Sequence, residues 1–132
     1  MEIEAGPAGL KLLLVEDNFD AAEALVCALE SYGHSVVHAA TQREALERGA
    51  AGGFDVIVTD LGLPDGSGIE IGRQLGRSIP VIALSGYGTT KDRAESARAG
   101  FVGHLVKPAE LDSIHAMVHK VAGKPAGPPS QG

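Results

Sequence analysis

Four short stretches of this sequence carry side chains suited to chemistry, and each directly follows an apolar run. Glu16-Asp17-Asn18 follows Leu12–Val15, Asp60 follows the run ending at Thr59, Ser85-Gly86 follows Val81–Leu84, and Lys107-Pro108 follows the run ending at Val106. Taken singly, each has a plain structural reading. A lone Asp or Ser after a strand caps a turn, and a carboxylate pair suits a helix N-terminus. Taken together, Glu16, Asp17 and Asp60 gather negative charge that is unfavourable unless a cation neutralises it. The ligands are hard oxygens, which suit Mg2+ with Mn2+ as a substitute, and no soft ligand accompanies them. A carboxylate such as Asp60 beside such an ion can attack phosphorus as an oxygen nucleophile and form an aspartyl phosphate. Lys107 is placed to stabilise charge on phosphoryl oxygens, and Ser85 to donate a hydrogen bond to one of them.

The elements that must hold these groups alternate along the chain. Lys11–Val15, Ser35–Ala39, Phe54–Thr59, Ile79–Leu84 and Phe101–Val106 read as short strands. Between them the helical period predicts helices over Phe19–Tyr32, from Thr41 to about Arg48, over Gly68–Leu75 and over Thr90–Ala99, with a last one from about Pro108 to Val121. Gly33 stands where a C-terminal cap is expected, and Thr41-Gln42-Arg43-Glu44 is a capping box. Leu61–Gly66 reads as a loop containing the turn Pro64-Asp65-Gly66. Apolar strands alternating with amphipathic helices imply an α/β fold, a parallel sheet covered on both faces. Right-handed crossovers then bring every strand's C-terminal end to one edge, where ligands of such folds bind.

With 132 residues the chain suits one domain, and its 44% hydrophobic and 21% charged composition fits a folded core built from Leu, Ile, Val and Ala. A net charge of -6 argues against a nucleic-acid surface. The apolar runs are too short to span a bilayer, the start lacks a signal-peptide block, and the single cysteine allows no internal disulfide. A cytoplasmic location without membrane contact is the expectation. Residues 1–9 and 123–132 read as flexible Gly- and Pro-rich flanks of a domain over 10–122.

The motifs Leu-Val-Glu-Asp-Asn, Val-Thr-Asp-Leu-Gly-Leu-Pro-Asp-Gly-Ser-Gly, Ala-Leu-Ser-Gly-Tyr-Gly and His-Leu-Val-Lys-Pro, in this order and each at a strand end, resemble the receiver domains of two-component response regulators. The resemblance covers roughly Lys11 to Ala122. It implies a CheY-like, flavodoxin-like (βα)5 fold with sheet order 2-1-3-4-5. It implies Asp60 as phosphoacceptor, Asp17 as a direct Mg2+ ligand, Glu16 acting through water, and the backbone carbonyl of Gly62 completing the metal site. Ser85 matches the switch hydroxyl and Lys107 the phosphate-binding lysine. The phosphodonor it implies is a phosphohistidine on a histidine kinase or histidine phosphotransfer domain, with a downstream protein partner. His104 stands where many receivers carry a switching Tyr or Phe, and the stretch from Asp60 to Ser85 is shorter than usual, which implies a trimmed third helix. The style of two motifs resembles receivers of hybrid sensor kinases. No output domain is read in the chain, so it is expected to be a stand-alone receiver or a piece of a larger protein, and not an enzyme by itself beyond its own phosphorylation and dephosphorylation. The rival reading, a haloacid-dehalogenase-type phosphohydrolase, wants a second Asp two residues after the nucleophile, where this chain has Gly62.

Other residues are expected to be structural. His115 and His119 have the spacing of a metal pair but read as a solvated helix face, Cys27 reads as a packing residue, and Tyr87 is either a partner contact or a structural residue.

Overall fold

Leu12, Leu13, Leu14 and Val15 have no polar residue among them, so a strand built from them must bury both faces. β1 (Lys11–Val15) does so, each of these four side chains being at most 1% exposed. The computed structural model describes residues 9–86, 94, 97–107 and 110–122. In it β1 is followed by α1 (Phe19–Ser31), β2 (Ser35–Ala39), α2 (Gln42–Ala51) and β3 (Val56–Asp60). A two-residue hairpin, β4 (Gly62–Leu63) and β5 (Gly66–Ser67), then leads to α3 (Ile69–Leu75), β6 (Val81–Ser85), β7 (Gly103–Val106) and α4 (Leu111–Ala122). The main sheet has five strands in the order β2-β1-β3-β6-β7, and each adjacent pair is parallel. This is the expected 2-1-3-4-5 order, with the hairpin lying outside the sheet.

The period of two along each strand divides the core. Leu13, Val15, Ile57, Val81 and Ala83 pack with Ala45 of α2 and with Ile71 and Leu75 of α3. Leu12, Leu14, Val56, Val58, Ile82 and Leu84 pack on the other face with Ala22 and Leu29 of α1 and with Ile114, Val118 and Val121 of α4. No helix among the described residues is long and apolar enough to cross a membrane.

Several boundaries differ from the sequence reading for local reasons. β6 begins at Val81 because Pro80 has no amide to donate to the sheet. Phe54 and Asp55 lie before β3, where the Asp55 carboxylate and amide instead tie down the Lys11 backbone. β7 begins at Gly103 and α4 at Leu111, each later than expected, while α2 runs on to Ala51. The loop after Asp60 is more ordered than its turn residues suggest, since it closes into the β4–β5 hairpin. Gly33 adopts a φ of 96°, a left-handed conformation that turns the chain from α1 into β2. The third helix is short, as expected, and Phe101 lies against Gly72 on it. Ala94, Ala97 and Arg98 are helical within the fourth expected helix. The rest of that helix before Ala97, Tyr87, Pro108, residues 1–8 and residues 123–132 lie outside the described residues.

Two expectations are corrected. Cys27 is exposed and packs no core. A helix turns about 100° per residue, so Cys27 is carried off the face shared by Ala22, Val26 and Leu29. His115 and His119 do not form a solvated face. They are partly buried and meet the buried His34 of the α1–β2 turn.

Candidate functional site

Parallel strands place Glu16, Asp60, Ser85 and Lys107 at or just beyond their C-terminal ends, along one edge of the sheet. β1 stops at Val15 because Asn18 caps α1, its side chain accepting from the Ala21 amide at 2.9 Å. Glu16 is held between these elements. Its amide donates to the Ala39 carbonyl of β2, its side chain is almost fully buried, and its Oε2 accepts from the Asn18 amide at 3.1 Å. His38 Nε2 donates to the Glu16 carbonyl at 2.7 Å, and the exposed Phe19 meets the His38 ring in a T-shaped contact.

Lys107 crosses this edge. Its Nζ donates to Asp60 Oδ2 and to Glu16 Oε1, both at 2.7 Å. Burial alone would pull the lysine down, but its hydrogen bonds to Asp60 and Glu16 and their charges outweigh this and hold the ammonium above the usual lysine range. Its backbone is fixed as well, since the Lys107 amide donates to the Ser85 carbonyl at 2.7 Å. Asp60 Oδ1 accepts from the Gly62 amide at 3.3 Å. One carboxylate oxygen from each of Glu16, Asp17 and Asp60 lies within 4.8 Å of the others, and Asp17 is the exposed member. This hard-oxygen set fits a small divalent cation.

Gly68, just before α3, lets the loop approach the site. A Cβ there would collide with the Asp60 carbonyl oxygen, while the Gly68 amide donates to the Leu61 carbonyl. Asp65, expected as a turn residue, accepts from the Gln42 and Arg43 amides at 2.7 and 3.0 Å. These bonds at the N-terminus of α2 hold its carboxyl below the usual carboxylate range. They also anchor the hairpin that follows Asp60. Ser85, only 6% exposed, pairs its Oγ with Nε2 of the half-buried His104 at 2.9 Å. The resemblance implies both as switch positions, and the direct hydrogen bond between them is what the structure adds. A period of two along neighbouring strands, Ala83 being opposite His104 and Ser85 opposite Val106, puts the two side chains on one face.

The chain matches the response regulator receiver domain model over residues 12–119 and belongs to that family. It is 33% identical to the two-component response regulator PhoP of Pseudomonas aeruginosa over 121 residues, which are 89% of this chain and 54% of that protein. It is 32% identical to the transcriptional regulatory protein BasR of Escherichia coli over 112 residues, 83% of this chain and 50% of that protein. The chain thus spans about half the length of these curated relatives. Among solved structures it superposes on the receiver domain of a Pseudomonas aeruginosa sensor histidine kinase with a TM-score of 0.80 and 29% identity, covering 89% of this chain and all of that one. In that structure a magnesium ion is coordinated in the active site cleft. A Francisella response regulator receiver domain gives a TM-score of 0.82 at 27% identity, covering 87% of this chain and 98% of that one. Receiver domains of this family accept phosphoryl groups from histidine kinases.

A second titratable cluster lies at the opposite edge, where β2 begins. His34 Nε2 and His115 Nδ1 are 3.0 Å apart, and the His119 ring centroid is 4.3 Å from that of His115. Burial first, and then the neighbouring imidazoles, push His34 and His115 below the usual histidine range. Asp112 opposes this at His115. The depressed folded values mean that the unfolded chain binds more protons once the pH falls below the ordinary histidine value. Stability linked to His34 and His115 is therefore present above about pH 6.5 and declines as the pH drops below it. Urea midpoints in chelator-containing buffer should fall between about pH 7.5 and about pH 5.5. The decline should be shallower in His34→Gln, and an equal slope in the two proteins would contradict the assignment.

Proposed function

We propose that Asp60 is the phosphoacceptor of this receiver domain and that its phosphodonor is a phosphohistidine on a histidine kinase or a histidine phosphotransfer domain. The observation that carries this reading is the Lys107 ammonium bridging Asp60 and Glu16 at 2.7 Å on the ligand-binding edge of the sheet. In the transfer an Asp60 carboxylate oxygen forms the new bond to phosphorus as the bond from phosphorus to the donor imidazole nitrogen breaks. Lys107 turns from Asp60 toward the incoming phosphoryl oxygens and offsets their charge. Asp17 and Asp60 are the side chains that would hold Mg2+, or Mn2+ in its place, with the Gly62 carbonyl and, through water, Glu16 as the further donors the family resemblance implies. The ion contributes charge neutralisation for the phosphoryl group.

The Ser85–His104 hydrogen bond supports a relay. A phosphoryl oxygen on Asp60 competes for the Ser85 hydroxyl, and its capture removes one of the contacts that hold His104 in its rotamer on β7. The outcome is a population shift at a partner-binding surface rather than a new fold. The receiver unit spans residues 10–122 and works in the cytoplasm, either alone or within a larger signalling protein such as a hybrid kinase.

Incubation with Mg2+ and acetyl phosphate, read by intact mass, tests the reading. One phosphoryl adduct per chain is expected, and none when the metal is chelated. An unmodified protein under conditions where Mg2+ binding is demonstrated would contradict it.

A further inference from the structure

The histidine cluster has features that a packing role does not account for. His34 is 4% exposed, yet its Nδ1 has no hydrogen-bond partner among the described residues, and neither does the buried Nε2 of His119. A buried polar atom without a partner is costly, and a missing ion or water is an ordinary explanation for one. The His119 atom is one that an ion within the cluster would satisfy, whereas His34 meets His115 through its Nε2, so its Nδ1 points elsewhere and does not bear on the ion. One ring nitrogen from each of His34, His115 and His119 falls within 4.8 Å of the others.

We propose that His34, His115 and His119 form a binding site for a divalent transition-metal ion, with Zn2+ as the fitting occupant, that ties α4 to the turn between α1 and β2. The donor set is all imidazole, which suits zinc and its borderline neighbours and disfavours Mg2+. Three nitrogens leave a fourth position for water, as zinc accepts. Tetrahedral Zn–N bonds of about 2.05 Å separate nitrogens by about 3.3 Å. The 3.0 Å between His34 and His115 needs to open by only a few tenths of an ångström.

The scaffold is ordered around these rings. His34 follows the left-handed Gly33, and its amide donates to the Leu29 carbonyl. His115 and His119 are one turn apart on α4. The Tyr32 ring stacks on His115 at a centroid distance of 3.8 Å, and its hydroxyl donates to Asp112, which fixes the face His115 presents. Because His34 precedes the first residue of β2, the site lies at the sheet edge opposite Glu16, Asp17 and Asp60. An ion there is independent of phosphoacceptor chemistry and stabilises the folded state by mass action.

The test uses the full chain, stripped with chelator and titrated with ZnCl2 by calorimetry and with Co2+ by visible absorption. Expected are one Zn2+ per chain, a Co2+ ligand-field band displaced by Zn2+, and a raised melting temperature. Binding should weaken at least tenfold in His119→Gln and persist in Asp17→Asn. Histidine ring NMR signals of the wild type give a readout that requires no variant. Zn2+ should shift those of His34, His115 and His119 and leave His38 and His104 in place. Absence of Zn2+ binding by the wild type would overturn the proposal. So would binding lost in Asp17→Asn but kept in His119→Gln, or shifts confined to His38 and His104.

Discussion

Asp60→Asn is expected to remain folded and to gain no phosphoryl group from acetyl phosphate with Mg2+. The amide is nearly isosteric with the carboxylate, and its oxygen can still accept from the Gly62 amide or from Lys107 Nζ, so the edge of β3 keeps its anchors. What disappears is the nucleophile, because a neutral amide oxygen does not form an acyl phosphate. Removing one charge from the Glu16–Asp17–Asp60 cluster also weakens cation binding. The loss of adduct by intact mass should be complete, with an unchanged circular dichroism spectrum. A normal adduct in the variant would assign the chemistry to another residue.

Lys107→Met should produce two separable losses. The first is kinetic. Removing one positioned donor to developing negative charge typically costs about 10^2–10^3 in rate, and phosphorylation by acetyl phosphate should slow by about that factor. The second is in stability. Glu16 keeps its burial but loses the cation that faces it, its side chain being 2% exposed. Breaking a fully buried pair costs about 3–5 kcal/mol. The Lys107 side chain is 32% exposed, so a smaller loss, on the order of 1–3 kcal/mol, is expected in metal-free buffer. Added Mg2+ should narrow the gap in melting temperature between variant and wild type, since another cation then faces the same carboxylates. A gap unaffected by Mg2+ would place the destabilisation in lost packing of the lysine stem.

What could be read from the sequence follows from the range of the interactions. The sheet order was implied by resemblance, and the strands were legible because runs such as Leu12–Val15 and Val81–Leu84 admit no amphipathic helix. Asp60, Ser85 and Lys107 were legible because each ends such a run, so placing the strand places the residue. The pairings were not legible. Lys107 and Glu16 are 91 positions apart, and His34 and His115 are 81 apart, with no local signal linking either pair. His115 and His119 therefore read as a solvated face until the turn at Gly33 brought His34 onto them. Asp65 read as a turn former because its bonds to the α2 amides close a contact across more than twenty residues. Cys27 is the converse case, because it lies next to the apolar face of α1 in sequence but about 100° around the helix from Val26.

The most direct measurement of the central claim traps the phosphoryl linkage on its residue. Protein phosphorylated with acetyl phosphate and Mg2+ is reduced with borohydride, which converts an aspartyl phosphate to homoserine, and is then digested and sequenced by tandem mass spectrometry. Homoserine at position 60 and at no other aspartate is the predicted result. Homoserine at position 17, a phosphate retained on a histidine, or an unmodified peptide spanning Asp60 from protein that carried the adduct would contradict it.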